Sequence, residues 1–304
     1  MMKIGLGVLR KVNKKDIKNR FEYSILKFLS FIISKMSLKK ARGLANMLAF
    51  VFYYFIPIRK NLVVKNLKIA FPDLDPKSLK KLTYYSYKNL FIVLIEILYL
   101  PYLTVDEIKS LTEISDFDLI DKALSKNKGL IFVSAHFGNW EVIAISAALN
   151  IGKPFTIITK PLRNTIVNEY INNWRCRFGN KVVPLGISIK SIFKALLEKE
   201  IVAMVADQRA SQNSIRMKFF SKETSVFEGP AVFSIKTGAP LILGLAIRQK
   251  DGKYKIKLDE IEIPELNDEN RKIYIMTEKY IRLLEKYISQ YPDQWLWFHN
   301  RWKH

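Results

Sequence analysis

Cysteine and histidine are scarce in this chain, and their scarcity excludes several kinds of site. The 304 residues include one cysteine, Cys176, and three histidines, two of which stand near the C-terminus. A single cysteine cannot form an intrachain disulfide, which favours a reducing compartment, and it excludes a zinc site built from cysteines. A metal site rich in histidine is disfavoured for the same reason, so the sequence predicts no bound metal.

Long hydrophobic runs are also missing. The basic start MMKIGLGVLRKVNKK lacks the apolar core and the small-residue cleavage site of a secretory signal. The uncharged stretch GLANMLAFVFYYFIPI, residues 43–58, is shorter than the roughly 20 apolar residues that span a bilayer, and it contains Pro57. We interpret it as an interfacial or membrane-embedded helix between the cationic flanks Arg42 and Arg59-Lys60. A full span and a buried core helix are the alternatives.

Acidic residues are few relative to basic ones. The chain has 50 Lys and Arg against 28 Asp and Glu, a formal net charge of +22. So large an excess favours an anionic partner, such as nucleic acid, an anionic membrane surface, a phosphorylated lipid or an acidic protein. A lysine-rich proteome is the alternative, although it explains the number of lysines better than the imbalance of sign.

From about residue 129 onward, short apolar runs rich in valine and isoleucine alternate with segments of helical pattern. This alternation predicts an α/β fold, a mostly parallel mixed β-sheet flanked by helices and preceded by N-terminal hydrophobic helices. Asp75-Pro76 is a typical helix start. We predict a basic, hydrophobic, membrane-associating segment over residues 1–60 and an α/β domain over residues 61–304.

His136 lies in the stretch SAHFGNWE, a polar break between two apolar segments. The preceding GLIFVSA has the pattern of a strand, and NWEVIAISAAL that of a helix with Asn139 as its N-cap, so His136 would end a parallel strand, where such sheets bind ligands. Glu141 falls in the first helical turn and needs a bend at Gly138 to reach the imidazole. A carboxylate on one imidazole nitrogen leaves the other nitrogen free as a base. His136 is therefore a candidate general base; a histidine that only hydrogen-bonds in a turn is the alternative.

The segment HFGNWE (136–141) resembles the motif of the bacterial lipid A biosynthesis acyltransferases. These enzymes belong to the His-x4-Asp/Glu glycerolipid acyltransferase group and add secondary acyl chains to the lipopolysaccharide precursor. Other stretches are similar to blocks of that family and occur in the same order. They are NLKIAFPD (66–73), KPLRN (160–164), Arg177-Phe178-Gly179, Asp207-Gln208, FEGPAVFSIKTGAPL (227–241) and YPDQWLWFHNRWK (291–303). The resemblance covers about residues 21–304, and it departs at Arg209 and Ala210, where many relatives have acidic residues or glycine.

The resemblance implies acyl transfer from an acyl carrier protein thioester to a hydroxyl of a lipid A precursor. His136 would be the general base, and Glu141 would orient it and stabilise its charge. No metal or cofactor is expected, since the thioester already activates the acyl group. An acyltransferase for a glycerophospholipid or another glycolipid is the alternative, and a non-enzymatic basic membrane-binding protein is a more distant one.

The same resemblance implies the partners and the location. An acyl carrier protein and a phosphorylated lipid acceptor would be the anionic partners, and the N-terminal helices would hold the enzyme on the cytoplasmic face of the inner membrane. No nucleic-acid partner is expected, because the sequence lacks the aromatic RNA-binding pattern and any zinc-finger spacing.

Five further residues are candidates for binding substrate or the oxyanion. Arg163 is the candidate cation for the tetrahedral oxyanion or for a lipid phosphate, and the backbone amides of the turn at Gly138 and Asn139 are the alternative for the oxyanion. Gln208 is a further candidate. Arg177 either faces phosphate or is a solvated surface charge.

Asp207 and a group of tryptophans complete the set of candidates. Asp207 follows a predicted strand and is either a second carboxylate in the site or a helix N-cap. The tryptophans at 295, 297 and 302 either line an acyl site or pack the chain end against the core. We favour packing, with His299 as a packed histidine among them.

Overall fold

The computed structural model describes residues 14–186 and 188–303, so the first 13 residues of the predicted 1–60 segment lie outside the described part. Four helices come first, α1 (Lys14–Ser34), α2 (Leu38–Tyr54), α3 (Lys60–Ala70) and α4 (Pro76–Tyr99). Helix α4 begins at the predicted start, because the Asp75 side chain accepts hydrogen bonds from the backbone N–H groups of Lys77 and Ser78. The first, second and third helices all pack against α4.

The rest of the chain alternates strands and helices, as predicted. In order they are α5 (Val105–Ser110), β1 (Thr112–Ile114), α6 (Phe117–Ser125), β2 (Leu130–Ser134), α7 (Trp140–Ile151), β3 (Phe155–Thr159), α8 (Thr165–Arg175), β4 (Lys181–Pro184), α9 (Ser188–Leu197), β5 (Ile201–Val205), β6 (Arg216–Phe219), β7 (Lys222–Ser225), α10 (Gly229–Thr237), β8 (Leu241–Arg248), β9 (Tyr254–Ile261) and α11 (Glu269–Gln290).

A seven-stranded sheet forms the centre of the fold, with the strand order β1-β9-β8-β2-β5-β3-β4. All of its neighbouring strands are parallel except β8 and β9, which are antiparallel. Strands β6 and β7 form a separate two-stranded ribbon. The predicted α/β class with a mostly parallel mixed sheet is therefore confirmed.

Strand β2 shows why both faces of the sheet are covered. Its apolar side chains alternate between two buried clusters, Ile131 and Val133 on one face and Leu130 and Phe132 on the other. Successive side chains of a strand point to opposite faces, so a strand that is apolar throughout has to lie between two layers of helices.

Helix α2 is divided between two environments. Its alanines Ala41, Ala45 and Ala49 are fully buried, and their small side chains let α2 lie close to α4. Phe50 and Tyr54 are exposed instead. No helix in the described residues is both long enough and apolar enough to cross a bilayer.

Candidate active site

His136 lies in the turn between β2, which ends at Ser134, and α7, which begins at Trp140. Asn139 caps α7, because its Oδ1 accepts hydrogen bonds from the backbone N–H groups of Glu141 and Val142, each at 3.1 Å. The strand, turn and helix predicted around His136 are confirmed. The turn therefore presents the imidazole at the carboxyl end of a central parallel strand.

Gly138 gives this turn its shape. Its φ of +54° lies in the left-handed region, and a Cβ at this position would stand 1.8 Å from the carbonyl oxygen of Ala246. Its N–H donates to the carbonyl of Gln294 at 2.9 Å, and the N–H of Leu296 donates to the carbonyl of His136 at 3.0 Å. The C-terminal segment thus holds the turn, and the Gly138 amide predicted as an oxyanion donor is already engaged.

Asp207 is the carboxylate that bonds to His136. Its Oδ1 lies 2.7 Å from His136 Nδ1, and its Oδ2 accepts from the His136 backbone N–H at 3.0 Å and from the Trp295 indole N–H at 2.8 Å. Ser134 and Val205 are partners in neighbouring parallel strands, so the residues two positions further on, His136 and Asp207, leave the sheet side by side. Of the two alternatives for Asp207, the structure gives the carboxylate in the site.

The pair perturbs both pKa values. Burial tends to raise the pKa of Asp207, but the charge and hydrogen bond of His136 and the Trp295 indole bring it below its usual value. Burial tends to lower the pKa of His136, but Asp207, with a smaller electrostatic contribution from Glu141, raises it above 6.5. An ionised carboxylate only accepts hydrogen bonds, so Nδ1 carries the proton and Nε2 is left as the basic nitrogen.

Glu141 does not bond to the imidazole, which corrects the sequence-based assignment of its partner. Its carboxylate forms a two-pronged ion pair with Arg175, with Nε to Oε2 at 2.9 Å and Nη2 to Oε1 at 2.5 Å. The reason is geometric: the turn at Gly138 carries Glu141 towards α8, while Asp207 arrives on the neighbouring strand. Glu141 acts on His136 only through its charge.

The other predicted binding residues fall in different places. Gln208 lies beside the catalytic candidate, with its Nε2 3.3 Å from His136 Nε2. Arg177 is exposed, and its Nη1 donates to the carbonyls of Pro101 and Leu103 at 2.8 and 3.3 Å, so it ties that segment down from the surface. Arg163 is exposed, outside the cavity described below, and makes no hydrogen bond or ion pair with the described residues.

A cavity of about 520 Å³ opens beside the imidazole, between the sheet and α7. Its polar lining includes His136, Glu141, Arg175 and Gln208, and most of the remaining lining is aliphatic or aromatic. The apolar lining includes Ile114, Ile120, Phe132, Ile143, Ala147, Phe155, Ile157, Ile256 and Leu258. A concave apolar space with a few convergent polar groups is typical of a site for a largely hydrocarbon ligand. In the described part of the chain, no three His, Cys, Asp or Glu side chains are grouped so that they could hold a metal ion.

Comparison with known proteins identifies the family. The family described as bacterial lipid A biosynthesis acyltransferase matches residues 11–304. The chain belongs to this family. The match begins ten residues before the stretch that the motifs alone indicate.

Three relatives of this chain have different named activities. The lipid A biosynthesis palmitoleoyltransferase of Escherichia coli is 24% identical over 256 residues, 82% of this chain and 80% of its own. The lipid A biosynthesis lauroyltransferase of the same organism is 23% identical over 253 residues, again 82% and 80%. The phosphatidylinositol mannoside acyltransferase of Mycolicibacterium smegmatis is 24% identical over 194 residues, and the match spans 62% of each chain.

Family membership makes the chain an enzyme that transfers an acyl group to a lipid acceptor. Besides the bonds of His136 to Asp207 and of Glu141 to Arg175, the sequence interpretation misses the bond of Trp295 to Asp207. Trp295 is buried, as expected of a packing residue. A buried indole N–H needs a hydrogen-bond acceptor, and that requirement is the feature of the sequence that points to a polar partner for Trp295. His299 is packed nearby, where burial lowers its pKa to about 4 and its Nε2 accepts from the Arg209 N–H at 3.4 Å.

Proposed function

We propose that this protein transfers a fatty acyl chain from an acyl carrier protein thioester to a hydroxyl of a lipid A precursor, with His136 as the general base. One observation carries the proposal: a histidine held by a buried carboxylate lines a large apolar cavity, and its free nitrogen lies beside Gln208, which lines the same cavity. The cavity suits the acyl chain, and the basic nitrogen suits the acceptor hydroxyl.

In the proposed reaction the acceptor hydroxyl donates its proton to His136 Nε2 while its oxygen attacks the thioester carbon. Asp207 stabilises the imidazolium that forms and keeps the ring oriented. The tetrahedral intermediate collapses by breaking the carbon–sulfur bond, and the leaving thiolate takes the proton back from the imidazolium. General-base catalysis of this kind contributes about 10²–10⁴-fold.

Gln208 is the residue we propose to assist the tetrahedral oxyanion. Its side-chain amide lines the cavity and lies 3.3 Å from His136 Nε2, at the place where the acceptor hydroxyl has to bind. A hydroxyl that displaces this contact frees the amide N–H to donate to the charge that develops on the thioester oxygen.

Product analysis tests the function. Purified protein is incubated with acyl carrier protein thioesters and either a lipid A precursor or a phosphatidylinositol mannoside, and the lipids are analysed by mass spectrometry. We expect a mass gain of one acyl chain on the lipid A precursor, and none with His136→Ala. A gain on the mannoside alone would assign this chain the acceptor class of its mycobacterial relative. Transfer to neither lipid would contradict the proposal.

The N-terminal helices offer the surface by which we propose that the enzyme lies on the cytoplasmic face of the inner membrane. Large apolar side chains of α1, α2 and the segment after α2 are exposed, where water would otherwise cover them. They are Ile17, Phe21, Ile25, Phe28, Leu29, Phe31, Ile32, Met47, Phe50, Tyr54, Phe55, Ile56 and Ile58. Apolar exposure on this scale, in a chain of net charge +22, suits an interfacial helix pair on anionic lipid.

Vesicle binding tests this surface. The exposed fractions of Phe21, Phe28 and Phe50 are 66%, 64% and 48%. Replacing all three by serine should weaken sedimentation with anionic phospholipid vesicles by at least about tenfold, since burial of each phenyl ring contributes about 1.5–3 kcal/mol. Phe117→Ser is the matched control, because Phe117 is 44% exposed and belongs to α6 rather than to α1 or α2. Unchanged sedimentation of the triple variant would assign membrane contact to another surface.

A further inference from the structure

The side chain of Glu96 is buried in α4, with 3% of the residue exposed, yet it is fully engaged. Its Oε1 accepts from Arg42 of α2 at 2.7 Å. Its Oε2 accepts from Asn139 Nδ2 at 2.7 Å and from the Tyr254 hydroxyl at 2.6 Å. One carboxylate therefore joins α2, α4, the start of β9 and the turn that carries the catalytic candidate.

Stability alone is a weak reason to bury such a group. A buried ion pair often contributes no more to stability than well-packed apolar residues of similar volume, because desolvation offsets the attraction. Arg42 and Glu96 nevertheless form one, and Arg42 also donates to the carbonyl of Gly252 at 2.7 Å. These hydrogen bonds fix the orientation of the groups that they join, which apolar packing does not.

The direction that matters is that of the Asn139 amide. Its Oδ1 caps α7, and its Nδ2 has Glu96 as its acceptor, so Glu96 determines which way the amide faces. The first residue of that helix is Trp140, whose ring centroid stands 4.8 Å from that of His136. An amide free to rotate would leave the start of α7, and hence the wall beside the imidazole, unfixed.

We infer that Glu96, held by Arg42, is a positioning residue for acyl transfer that acts through Asn139 on the ring of His136. The inference rests on the proposed function and names a residue that acts without touching the substrate. Because Arg42 belongs to α2, which also carries exposed Phe50, the network also links a helix of the apolar surface to the catalytic turn.

Substitution of Glu96 by glutamine tests the inference. Glu96→Gln keeps the shape and removes the charge, so we expect kcat to fall by about tenfold or more, as for a small misplacement of reacting groups. KM should change by less than about twofold, because the apolar cavity is untouched. The unfolding midpoint and the kinetics with acyl carrier protein thioester are measured on the same preparation.

A second substitution separates positioning from general damage. Asn139→Asp in the Glu96→Gln background moves the charge to position 139, where a carboxylate still caps α7 and accepts from the glutamine amide introduced in α4. The double variant should recover kcat to within about threefold of the unsubstituted protein, a coupling that independent effects would not produce. Glu260→Gln, which breaks ion pairs with Lys122 and Lys126, is the matched control and should leave kcat unchanged.

Amide hydrogen exchange over residues 139–146 supplies a readout that does not depend on activity. Exchange there should be faster in Glu96→Gln and return to the original rate in the double variant. If the unsubstituted protein transfers no acyl chain, the proposed function fails. Amide exchange over residues 139–146 still shows whether Glu96 positions the start of α7. An unchanged kcat or unchanged exchange in Glu96→Gln, or no recovery in the double variant, would overturn the inference.

Discussion

His136→Ala is expected to lower kcat for acyl transfer by about 10²–10⁴-fold, the usual contribution of a positioned general base. The imidazole supplies the basic nitrogen that lies beside Gln208 at the cavity, and alanine offers no group in its place. The residual rate would come from binding and from oxyanion stabilisation alone. Single-turnover transfer from a labelled acyl carrier protein thioester measures the loss.

Loss of the imidazole also leaves the buried Asp207 without one of its donors. His136→Asn is therefore assayed together with His136→Ala. The asparagine amide places an N–H near the position of Nδ1, where it can donate to Asp207, but it offers no base. Both variants should sediment with anionic vesicles as the unsubstituted protein does. His299→Asn is the matched control and should remain within about threefold, since His299 Nε2 accepts from the Arg209 backbone N–H and makes no hydrogen bond to His136 or Asp207. Normal transfer by His136→Asn would exclude the proposed mechanism.

Asp207→Asn keeps the shape of the side chain but is expected to lower kcat by at least about 10²-fold. Replacing the carboxylate partner of a catalytic histidine reverses the tautomer of the imidazole. The asparagine oxygen can still accept from the His136 backbone and the Trp295 indole. Its NH₂ group then faces Nδ1, which has to become the acceptor, and the proton moves to Nε2, the position of the base. Asp259→Asn, which alters a carboxylate bonded to Tyr287, is the matched control.

The pH profile separates this effect from misfolding. The base works only when neutral, so kcat/KM should fall as the pH drops through the pKa of His136, which Asp207 raises above 6.5. In Asp207→Asn the attraction is gone and burial, which lowers the pKa, is left as the larger effect. The inflection should therefore move to lower pH. An inflection that stays in place would show that Asp207 does not set the protonation of His136.

The local features of the site are predictable from local pattern. The sequence alone indicates Asn139 as an N-cap and a bend at Gly138 between a strand and a helix, because capping and glycine conformations depend on a few neighbouring residues. The α/β class follows from alternating apolar strands and helical segments. These are short-range properties, and the structure confirms each of them.

The carboxylate that bonds the imidazole is not predictable in the same way. Asp207 is 71 positions from His136 along the chain, and the two meet only because β2 and β5 are neighbours in register. Strand order is a tertiary property on which the spacing in one sequence gives no information. Nearness in sequence favours Glu141 instead, although its position in the first turn of α7 directs it to Arg175.

The hydrogen bonds from residues 294–296 to the catalytic turn have a consequence for the synthesis of the enzyme. Gln294 and Leu296 bond to the turn that carries His136, and Trp295 bonds to Asp207. Residues 294–296 come after both parts of the site in the chain, so the ribosome makes them later. During synthesis the N-terminal part of a chain leaves the ribosome first and can fold first. The helices α1 and α2 are therefore made first, and the bonds that hold the turn of His136 and the carboxylate of Asp207 are complete only once residues 294–296 have emerged.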